Sequence, residues 1–390
     1  WWNGDCNSAR GDVANSRNIF SKRRTHELNI VSMHVTSDLG VQKKSDCLSG
    51  KRILFAVSGG IAAVESVKLA RELRRHGAEV FGMMTQSSQK VITPLAFSWG
   101  SGAEILSEWD SGMAQLGKFD GILIAPATRN TISKHIHGII DSPVMMALSA
   151  ARGNGSPMLF VPSMHNDLFH DPVTEDLISQ LESTTTKVLT SRTSEDRIKQ
   201  PNHRLIVAEL SNLIHKGSPN RKRIAVTLGS TKGQIDRIRS IQNTSSGRTG
   251  WDLSEHLHML GHDVICISGH TSVEPCFPLP DVSVAVSPDE MLSCCLDLAN
   301  SDTPPDVWIH SAAVLDYCPV PEKGKKNSGE EKWEITLNPT KKHIQELSKL
   351  TSDCFRVSFK LGVNISEKEL INSAMEQFSN YGVDAVFANL

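Results

Sequence analysis

From Lys51 onwards, short apolar runs alternate with segments in which apolar residues recur every three or four positions. The short runs are typical of buried strands, and the helical spacing indicates amphipathic helices. Strands that alternate with helices predict a parallel sheet covered on both faces. In the first half the predicted strands are Ile53 to Val57, Glu79 to Met84, Gly121 to Ala125 and Met158 to Val161, with helices over 61–76, from Ser88, and over 129–150.

The same alternation restarts near residue 221, after a stretch rich in threonine, charge and Gly-Ser-Pro punctuation. A chain of 390 residues suits two domains of ordinary size. We therefore predict two doubly wound α/β domains at 33–182 and 221–390, joined by a linker at 183–220. The predicted strands of the second domain are Ile224 to Leu228, Asp263 to Ser268, Val307 to Ser311, Phe355 to Phe359 and Ala385 to Phe387, with helices over 248–260, 288–300, 340–350 and 367–381.

The two ends of the chain differ from the rest. Residues 1–32 are polar and unperiodic, and the first methionine is Met33. We interpret 1–32 as a disordered or non-native leader and Met33 as the start. The chain stops just after the apolar run Val383 to Phe387, which we interpret as truncation inside the second domain.

Composition narrows the class of protein. Hydrophobic residues make up 39% of the chain, and the formal net charge is −2, so we expect no nucleic-acid or membrane partner. No apolar run approaches the ~20 residues that a membrane span needs. The eight cysteines show neither C-x-x-C pairing nor metal-site spacing, which favours a reduced, cytoplasmic protein.

Ligands of doubly wound folds bind beyond the carboxyl ends of the strands. The turn Ser58-Gly59-Gly60 lies between a strand and a helix, where backbone N–H groups and the helix dipole favour a phosphate. Taken alone, this turn fits an ordinary strand-to-helix connection equally well. The other strand ends are also small or polar, at Thr85 to Ser88, Pro126 to Asn130 and Pro162 to His165. Together they predict one continuous polar rim.

Two loops of the second half carry candidate chemistry. Thr231 to Thr249 is a long polar loop that contains Asn243, and such loops are commonly functional. Pro319 to Trp333 contains Lys323, Lys325 and Lys326. A lysine run alone is more often a solvated surface, but beside a second phosphate-binding loop it is a candidate triphosphate clamp.

Five motifs, together with the lysine-rich loop, carry a resemblance to a known family. In order, they are Val57 to Ala63, Ala125 to Thr128, Pro162 to His165, Ile241 to Gly247 and Ser311 to Ala313. Over 33–390 the chain resembles the bifunctional phosphopantothenoylcysteine decarboxylase / phosphopantothenate-cysteine ligase of coenzyme A synthesis, and its archaeal branch in particular. The resemblance implies a flavodoxin-like FMN domain followed by a Rossmann-like ligase domain.

For the first domain, the resemblance implies residues that bind FMN. These are Ser58, Gly59, Gly60, Thr85 and Ser88 at the phosphate, and Thr128 and Asn130 at the ribityl chain and ring. The family's acid/base histidine falls at Gly112 or Met113, and no histidine occurs between His76 and His135. His165 is a possible substitute, with a surface or core histidine as the alternative.

For the second domain, the resemblance implies that CTP and Mg²⁺ activate the pantothenate carboxylate as an acyl-cytidylate. Asn243 then orients the acyl-phosphate carbonyl, Arg239 lies nearby, and Lys325 contacts the triphosphate. Asp316 is the expected metal ligand. The remaining nucleotide contacts implied are Ala312, Ala313, Pro339, Thr340 and Phe359.

The predicted function is thus to join 4′-phosphopantothenate to cysteine and to decarboxylate the product, in a homo-oligomer. Two alternatives stay open because of the missing histidine. One is a ligase with a non-catalytic flavin-binding domain. The other is a non-enzymatic flavin- or nucleotide-binding regulator, favoured if Gly112 or Met113, Gly362, Met375 and Asn380 disable both sites.

Overall fold

The computed structural model describes residues 40–106, 109, 117–183, 185–191, 193–194, 197–325, 329 and 332–390. The predicted leader at 1–32 and positions 112 and 113 lie outside these residues. Within the described part, no helix is both long and apolar enough to cross a bilayer.

The first half of the chain forms a six-stranded sheet and a smaller three-stranded one. Its strands are β1 (Arg52–Val57), β2 (Glu79–Met84), β3 (Ile105–Leu106), β4 (Gly121–Ala127), β5 (Met158–Pro162), β6 (Met164–His165), β7 (Thr186–Val188), β8 (Thr193–Ser194) and β9 (Arg197–Ile198). Its helices are α1 (Ser66–Arg75), α2 (Pro94–Ser101), α3 (Arg129–Ile136), α4 (Pro143–Gly153), α5 (Asn166–Phe169), α6 (Pro172–Leu181) and α7 (His203–His215), with 3₁₀ turns at Ile61–Glu65 and Ser88–Lys90.

The large sheet has the strand order β3-β2-β1-β4-β5-β7, and its pairings are parallel. Five consecutive residues of β1 are buried, because helices cover both faces of a central parallel strand. The chain leaves β1 for β2 on one side and later returns to β4 on the other. This reversal opens a crevice at the carboxyl ends of β1 and β4.

The second half repeats this plan. Its strands are β10 (Arg223–Leu228), β11 (Lys232–Gln234), β12 (Ser240–Gln242), β13 (Asp263–Ser268), β14 (Asp281–Val284), β15 (Val307–His310), β16 (Tyr317–Pro319), β17 (Leu337–Pro339), β18 (Phe355–Leu361) and β19 (Ala385–Asn389). Its helices are α8 (Arg248–Met259), α9 (Pro288–Ala299), α10 (His343–Glu346) and α11 (Glu367–Tyr381).

Six of these strands form a parallel sheet in the order β14-β13-β10-β15-β18-β19. The order reverses at β10, as it does at β1 in the first sheet, so a second crevice opens between the ends of β10 and β15. Two antiparallel hairpins, β11–β12 and β16–β17, follow these strand ends. The predicted fold class, two doubly wound parallel-sheet domains, is confirmed.

The segment predicted as a linker, 183–220, contains strand β7 and helix α7 among its described residues. Strand β7 extends the first sheet beside β5, and α7 buries its apolar face. Helix α7 also contacts the second domain, because Ser211 Oγ donates to the Met259 carbonyl at 2.7 Å and Asn212 Nδ2 to the His258 carbonyl at 2.8 Å. Helix α7 therefore packs on both domains.

Three predicted helices also differ from the structure. The predicted helix over 129–150 is divided into α3 and α4, because Gly138 adopts a φ of +69° and Pro143 starts a new helix at its first turn. The helix predicted from Ser88 is a 3₁₀ turn followed by α2, which Thr93 caps. The helix predicted over 340–350 is reduced to the four residues of α10.

Candidate functional site

The turn after β1 packs tightly against the turn after β2. A Cβ atom at Gly59 would lie 2.4 Å from the Cβ of Ser87 and 3.2 Å from the Ser87 carbonyl carbon. Only glycine permits this approach without a shift of one backbone. Gly60 lies beside the third turn, with the Thr128 methyl 3.7 Å from its ideal Cβ position. The ends of β1, β2 and β4 therefore converge on one small concave surface.

Ser58 holds two of these turns together. Its Oγ donates to the Pro126 carbonyl at 2.7 Å and accepts from the Thr128 N–H at 2.8 Å. The side chain is buried, and its hydroxyl proton is bonded to the Pro126 carbonyl and not exposed to solvent. Ser58 was predicted to bind the phosphate, and in the structure its hydroxyl joins the turns after β1 and β4.

Ser88 is likewise turned inwards. Its hydroxyl donates to the Thr85 carbonyl at 2.7 Å, and its N–H lies 3.2 Å from Thr85 Oγ1. Ser88 is fully buried, whereas its neighbour Ser87 is exposed and touches Gly59. The sequence prediction named Ser88, whereas Ser87 is the serine exposed beside Gly59, because the direction of the 3₁₀ turn decides which side chain faces the crevice.

The third turn ends in the N-terminus of α3. Thr128 Oγ1 caps this helix by accepting from the Thr131 N–H, and Asn130 is exposed in the first turn. His165 lies at the end of β6 and caps α5, with its Nδ1 3.1 Å from an Asp167 carboxylate oxygen. The His165 side chain is half exposed, and its contacts are with Asp167 in its own loop. It takes no part in the hydrogen bonds that join Ser58 to Thr128.

The second crevice is built in a related way after β10. Gly229 has a φ of +77°, and a Cβ there would lie 2.7 Å from the His270 carbonyl oxygen. The Ala313 N–H donates to the Gly229 carbonyl at 2.8 Å, and the Thr231 N–H donates to the Ala313 carbonyl at 3.2 Å. Ala312 and Ala313, predicted to line a nucleotide, are thus held against this turn.

Asn243 closes the second crevice from the loop that follows β12. Its Nδ2 donates to the carbonyls of Ala313 at 3.2 Å and Val314 at 3.1 Å. Both amide hydrogens are therefore engaged with the main chain, so the amide oxygen is the polar atom left for a ligand. The structure brings Asn243 and Ala313, both predicted site residues, into contact.

Comparisons with known proteins give matches over both halves of the chain. Residues 41–249 match the Flavoprotein family model, and 220–390 match the DNA/pantothenate metabolism flavoprotein C-terminal domain. The coenzyme A biosynthesis bifunctional protein CoaBC of Thermococcus kodakarensis is 34% identical over 353 residues, covering 89% of this chain and 87% of that protein. The chain belongs to the CoaBC family.

A second CoaBC relative, from Methanocaldococcus jannaschii, is 32% identical over 353 residues, covering 89% of this chain and 85% of that protein. Both relatives are archaeal, so the predicted resemblance to the archaeal branch of the family is confirmed. The DNA/pantothenate metabolism flavoprotein of Streptococcus pneumoniae is 26% identical with a TM-score of 0.39, covering 42% of this chain and 80% of that chain.

The first crevice of this CoaBC family protein fits the phosphate of a flavin. Gly59 and Gly60 are partly exposed, and neither carries a side chain that would cover the backbone of the turn. The N–H groups that follow Gly60 begin a 3₁₀ turn and then α1, and such N-termini attract anions. Gly59, Gly60, Ser87 and Thr128 are the residues that would hold the group.

Asp316 lies at the edge of the second crevice. Its carboxylate forms an ion pair with Lys342, and its carbonyl accepts from the Thr340 N–H at 2.9 Å. Pairing of Tyr317 with Pro339 brings these segments together. The described residues contain no group of three or more His, Cys, Asp or Glu suited to a metal. One carboxylate suffices where a nucleotide supplies the other Mg²⁺ ligands.

Lys325, Arg239 and Phe359 were also predicted for the second site. Lys325 is exposed in the basic loop, and Arg239 pairs with the buried Asp236 at 2.7 Å. Phe359 stacks on Phe387 with ring centroids 5.3 Å apart, so its side chain serves the packing of β18 on β19. No sequence pattern pointed to Lys342 or Asp236, because their partners are set by the two hairpins.

Proposed function

We propose that the chain makes 4′-phosphopantothenoylcysteine from 4′-phosphopantothenate, cysteine and CTP, and then decarboxylates it with bound FMN to 4′-phosphopantetheine. The family and its two steps in coenzyme A synthesis support this assignment. The observation that carries the ligase half is the fixed position of Asn243 against Ala313 and Val314, beside the Gly229 turn.

In the ligase step, a carboxylate oxygen of phosphopantothenate attacks the α-phosphorus of CTP, and pyrophosphate leaves. The cysteine nitrogen then attacks the activated carbonyl carbon, CMP leaves, and the nitrogen loses a proton. Lys325 and Mg²⁺ at Asp316 would offset the phosphate charge as it moves. Backbone groups of Ala312, Ala313 and Thr340 would line the nucleotide.

The orientation of Asn243 suggests a specific role. A group that orients a substrate carbonyl must donate, but both amide hydrogens of Asn243 bond to the main chain. The amide oxygen of Asn243 can accept a hydrogen bond from the cysteine amine as the nitrogen approaches the acyl-cytidylate. This contact would align the nucleophile with the carbonyl carbon.

In the first domain, bound flavin would accept electrons from the substrate thiol and return them after carbon dioxide has left. The chain's own residues bind and orient: Gly59, Gly60 and Ser87 at the phosphate, and Thr128 and Asn130 farther along the crevice. His165 is the candidate proton carrier on this rim, since its imidazole is half exposed.

A second candidate function is a ligase whose flavin domain does not decarboxylate. The observation in its favour is the sequence at 112 and 113, where glycine and methionine replace the histidine implied by the resemblance. Because an acid/base group commonly contributes about a hundredfold or more in rate, its loss would leave this step slow.

One set of assays tests both functions. Purified protein is supplied with 4′-phosphopantothenate, cysteine, CTP and Mg²⁺, and pyrophosphate release is followed. Absence of CTP-dependent release would contradict the ligase. Phosphopantothenoylcysteine is then supplied to the flavin-loaded protein, and carbon dioxide is measured. Release of pyrophosphate without carbon dioxide would select the second candidate. ATP in place of CTP tests the nucleotide preference.

We further propose a cytoplasmic homo-oligomer. The support is the family assignment and the absence, within the described residues, of a helix able to span a membrane. Sedimentation velocity at several protein concentrations tests the assembly, and a mass equal to the 42.7 kDa chain at all of them would contradict it.

A further inference from the structure

The tip of the β11–β12 hairpin contacts both arms of the basic loop that carries Lys325. On the first arm, the Glu322 N–H donates to the Ile235 carbonyl at 2.8 Å, and the Arg237 N–H donates to the Gly324 carbonyl at 3.0 Å. On the second arm, the Arg239 guanidinium lies over the Trp333 ring, 4.9 Å from its centroid. One short turn therefore holds a loop at two points on either side of Lys325.

Asp236 makes this turn rigid. Its carboxylate is buried and accepts from the N–H groups of Ile238 at 2.8 Å and Arg239 at 2.7 Å. The same carboxylate accepts from Arg239 Nη1 at 2.7 Å. A buried carboxylate that binds both the backbone and the guanidinium fixes the plane of the arginine, and a planar cation stacks well on an indole.

The two hairpins also touch through their strands. A Cβ atom at Gly233 in β11 would lie 2.9 Å from Cys318 Sγ and 2.9 Å from Pro319 Cδ in β16. The other strand of the first hairpin, β12, leads directly into Asn243. The hairpin thus bears Asn243 at its base and contacts the arms of the Lys325 loop at its tip.

We propose that Arg239 is a positioning residue: held by Asp236, it stacks on Trp333 and thereby places Lys325 against the nucleotide triphosphate. This assignment rests on the proposed ligase function. It makes Arg239 a residue that acts through Trp333 and not on the substrate, because the guanidinium already has a carboxylate and an indole as partners. Asp236 and Trp333 become part of the nucleotide site without contacting the nucleotide.

The test compares Trp333→Leu with Trp333→Phe, which keeps an aromatic face under the guanidinium. Trp99→Leu is the matched control, since the Arg71 guanidinium lies over Trp99 at 4.3 Å in the first domain. We expect Trp333→Leu to raise the KM for CTP about fivefold with kcat within about twofold, as the loss of one cation–π contact predicts. Trp333→Phe and Trp99→Leu should stay within about twofold of the parent in both constants.

Limited trypsin digestion gives a readout that does not depend on turnover. Cleavage after Lys323 and Lys325 should be about fivefold faster in Trp333→Leu than in Trp99→Leu, since one arm of the loop is released. Arg239→Lys keeps the charge but loses the planar stack, and should behave as Trp333→Leu does in both assays. It provides the second variant if Trp333→Leu does not fold.

Equal KM and equal cleavage in Trp333→Leu and Trp99→Leu would overturn the proposal. A fall in kcat with unchanged KM would also overturn it, because that pattern indicates a direct role in the chemical step. If the parent protein releases no pyrophosphate with CTP, the proposed function fails, and the digestion still decides whether Arg239 and Trp333 hold the loop.

Discussion

The two crevices of this chain share a plan and differ in where their polar atoms point. Each lies where the strand order reverses beside a central buried strand, β1 or β10. In each, a serine hydroxyl bonds across to the adjacent strand end, from Ser58 to the Pro126 carbonyl at 2.7 Å and from Ser311 to the Thr227 carbonyl at 2.8 Å. The shared sheet geometry sets the place of the site but not its chemistry.

The difference lies in the segments beyond the strands. The first crevice is lined by short turns that approach one another through Gly59, and its hydroxyls are largely used within the protein. The second is bordered by two hairpins that present Asn243, Asp316 and the basic loop. A cradle of backbone groups suits a tightly bound phosphate, whereas projecting side chains suit a reaction in which charge moves.

The largest expected effect belongs to Asn243. Asn243→Ala should lower kcat for cysteine ligation about 10²- to 10³-fold, the range seen when one fixed polar group is lost from a reaction centre. Flavin binding should be unchanged, since Asn243 belongs to the other crevice. Pyrophosphate release and the flavin spectrum measure the two halves. A comparable loss of flavin would show that the crevices are not independent.

The next effect concerns acid stability of the first domain. Burial, together with the Arg152 charge, lowers the pKa of His135 to about 4. Between about pH 6.5 and 4 the unfolded chain binds a proton at this residue that the folded chain does not, so stability falls as pH falls through that interval. Below pH 4, the free energy of unfolding is lowered by roughly 3 kcal/mol in full.

Urea unfolding followed by flavin fluorescence measures this dependence. His135→Leu should flatten it between about pH 6.5 and 4, because the titrating group is gone. His137→Leu, at an exposed position one residue beyond α3, is the matched control and should leave the slope as it is. An unchanged slope in His135→Leu would assign the acid sensitivity to other groups.

A smaller effect should follow from Gly59→Ala. The added methyl group would meet Ser87, so one of the two turns must move, at a cost of roughly 1–3 kcal/mol. We expect flavin affinity to fall about tenfold or more, with ligase activity retained. Fluorescence titration with FMN measures it. Gly153→Ala, where nothing lies within 4 Å, is the control, and equal affinities in the two variants would exclude the cradle at Gly59.

The smallest expected effect is the difference in stability between the variants Ser58→Ala and Ser311→Ala. Ser58→Ala removes the acceptor of the Thr128 N–H and should cost about 1–2 kcal/mol. Ser311→Ala should cost less, about 0.5 kcal/mol. The Thr227 carbonyl still accepts a hydrogen bond from the backbone N–H of residue 311 at 3.0 Å. Denaturant unfolding followed by flavin fluorescence and by tryptophan fluorescence compares them. Equal costs would mean that the Thr128 contact contributes nothing.

Sequence reasoning identified the sheets and most of the rim because both depend on local patterns. Glu79–Met84, Asp263–Ser268 and Glu367–Tyr381 have the predicted limits, since apolar runs and capping signals lie within each segment. At 183–220 the polar punctuation gave no indication of a helix in which Ile206, Val207 and Leu210 are buried. The burial of that face depends on two domains that the segment itself does not encode.

The sequence by itself determined two doubly wound domains, the phosphate-suited turn at Gly59, and the order of motifs that marks the family. The tertiary structure alone decided that Ser87 rather than Ser88 faces Gly59, and that the hydrogens of Asn243 bond to the main chain. It also decided that Arg239 lies between Asp236 and Trp333. These outcomes depend on side-chain direction and on contacts between distant segments, which periodicity along the chain does not specify.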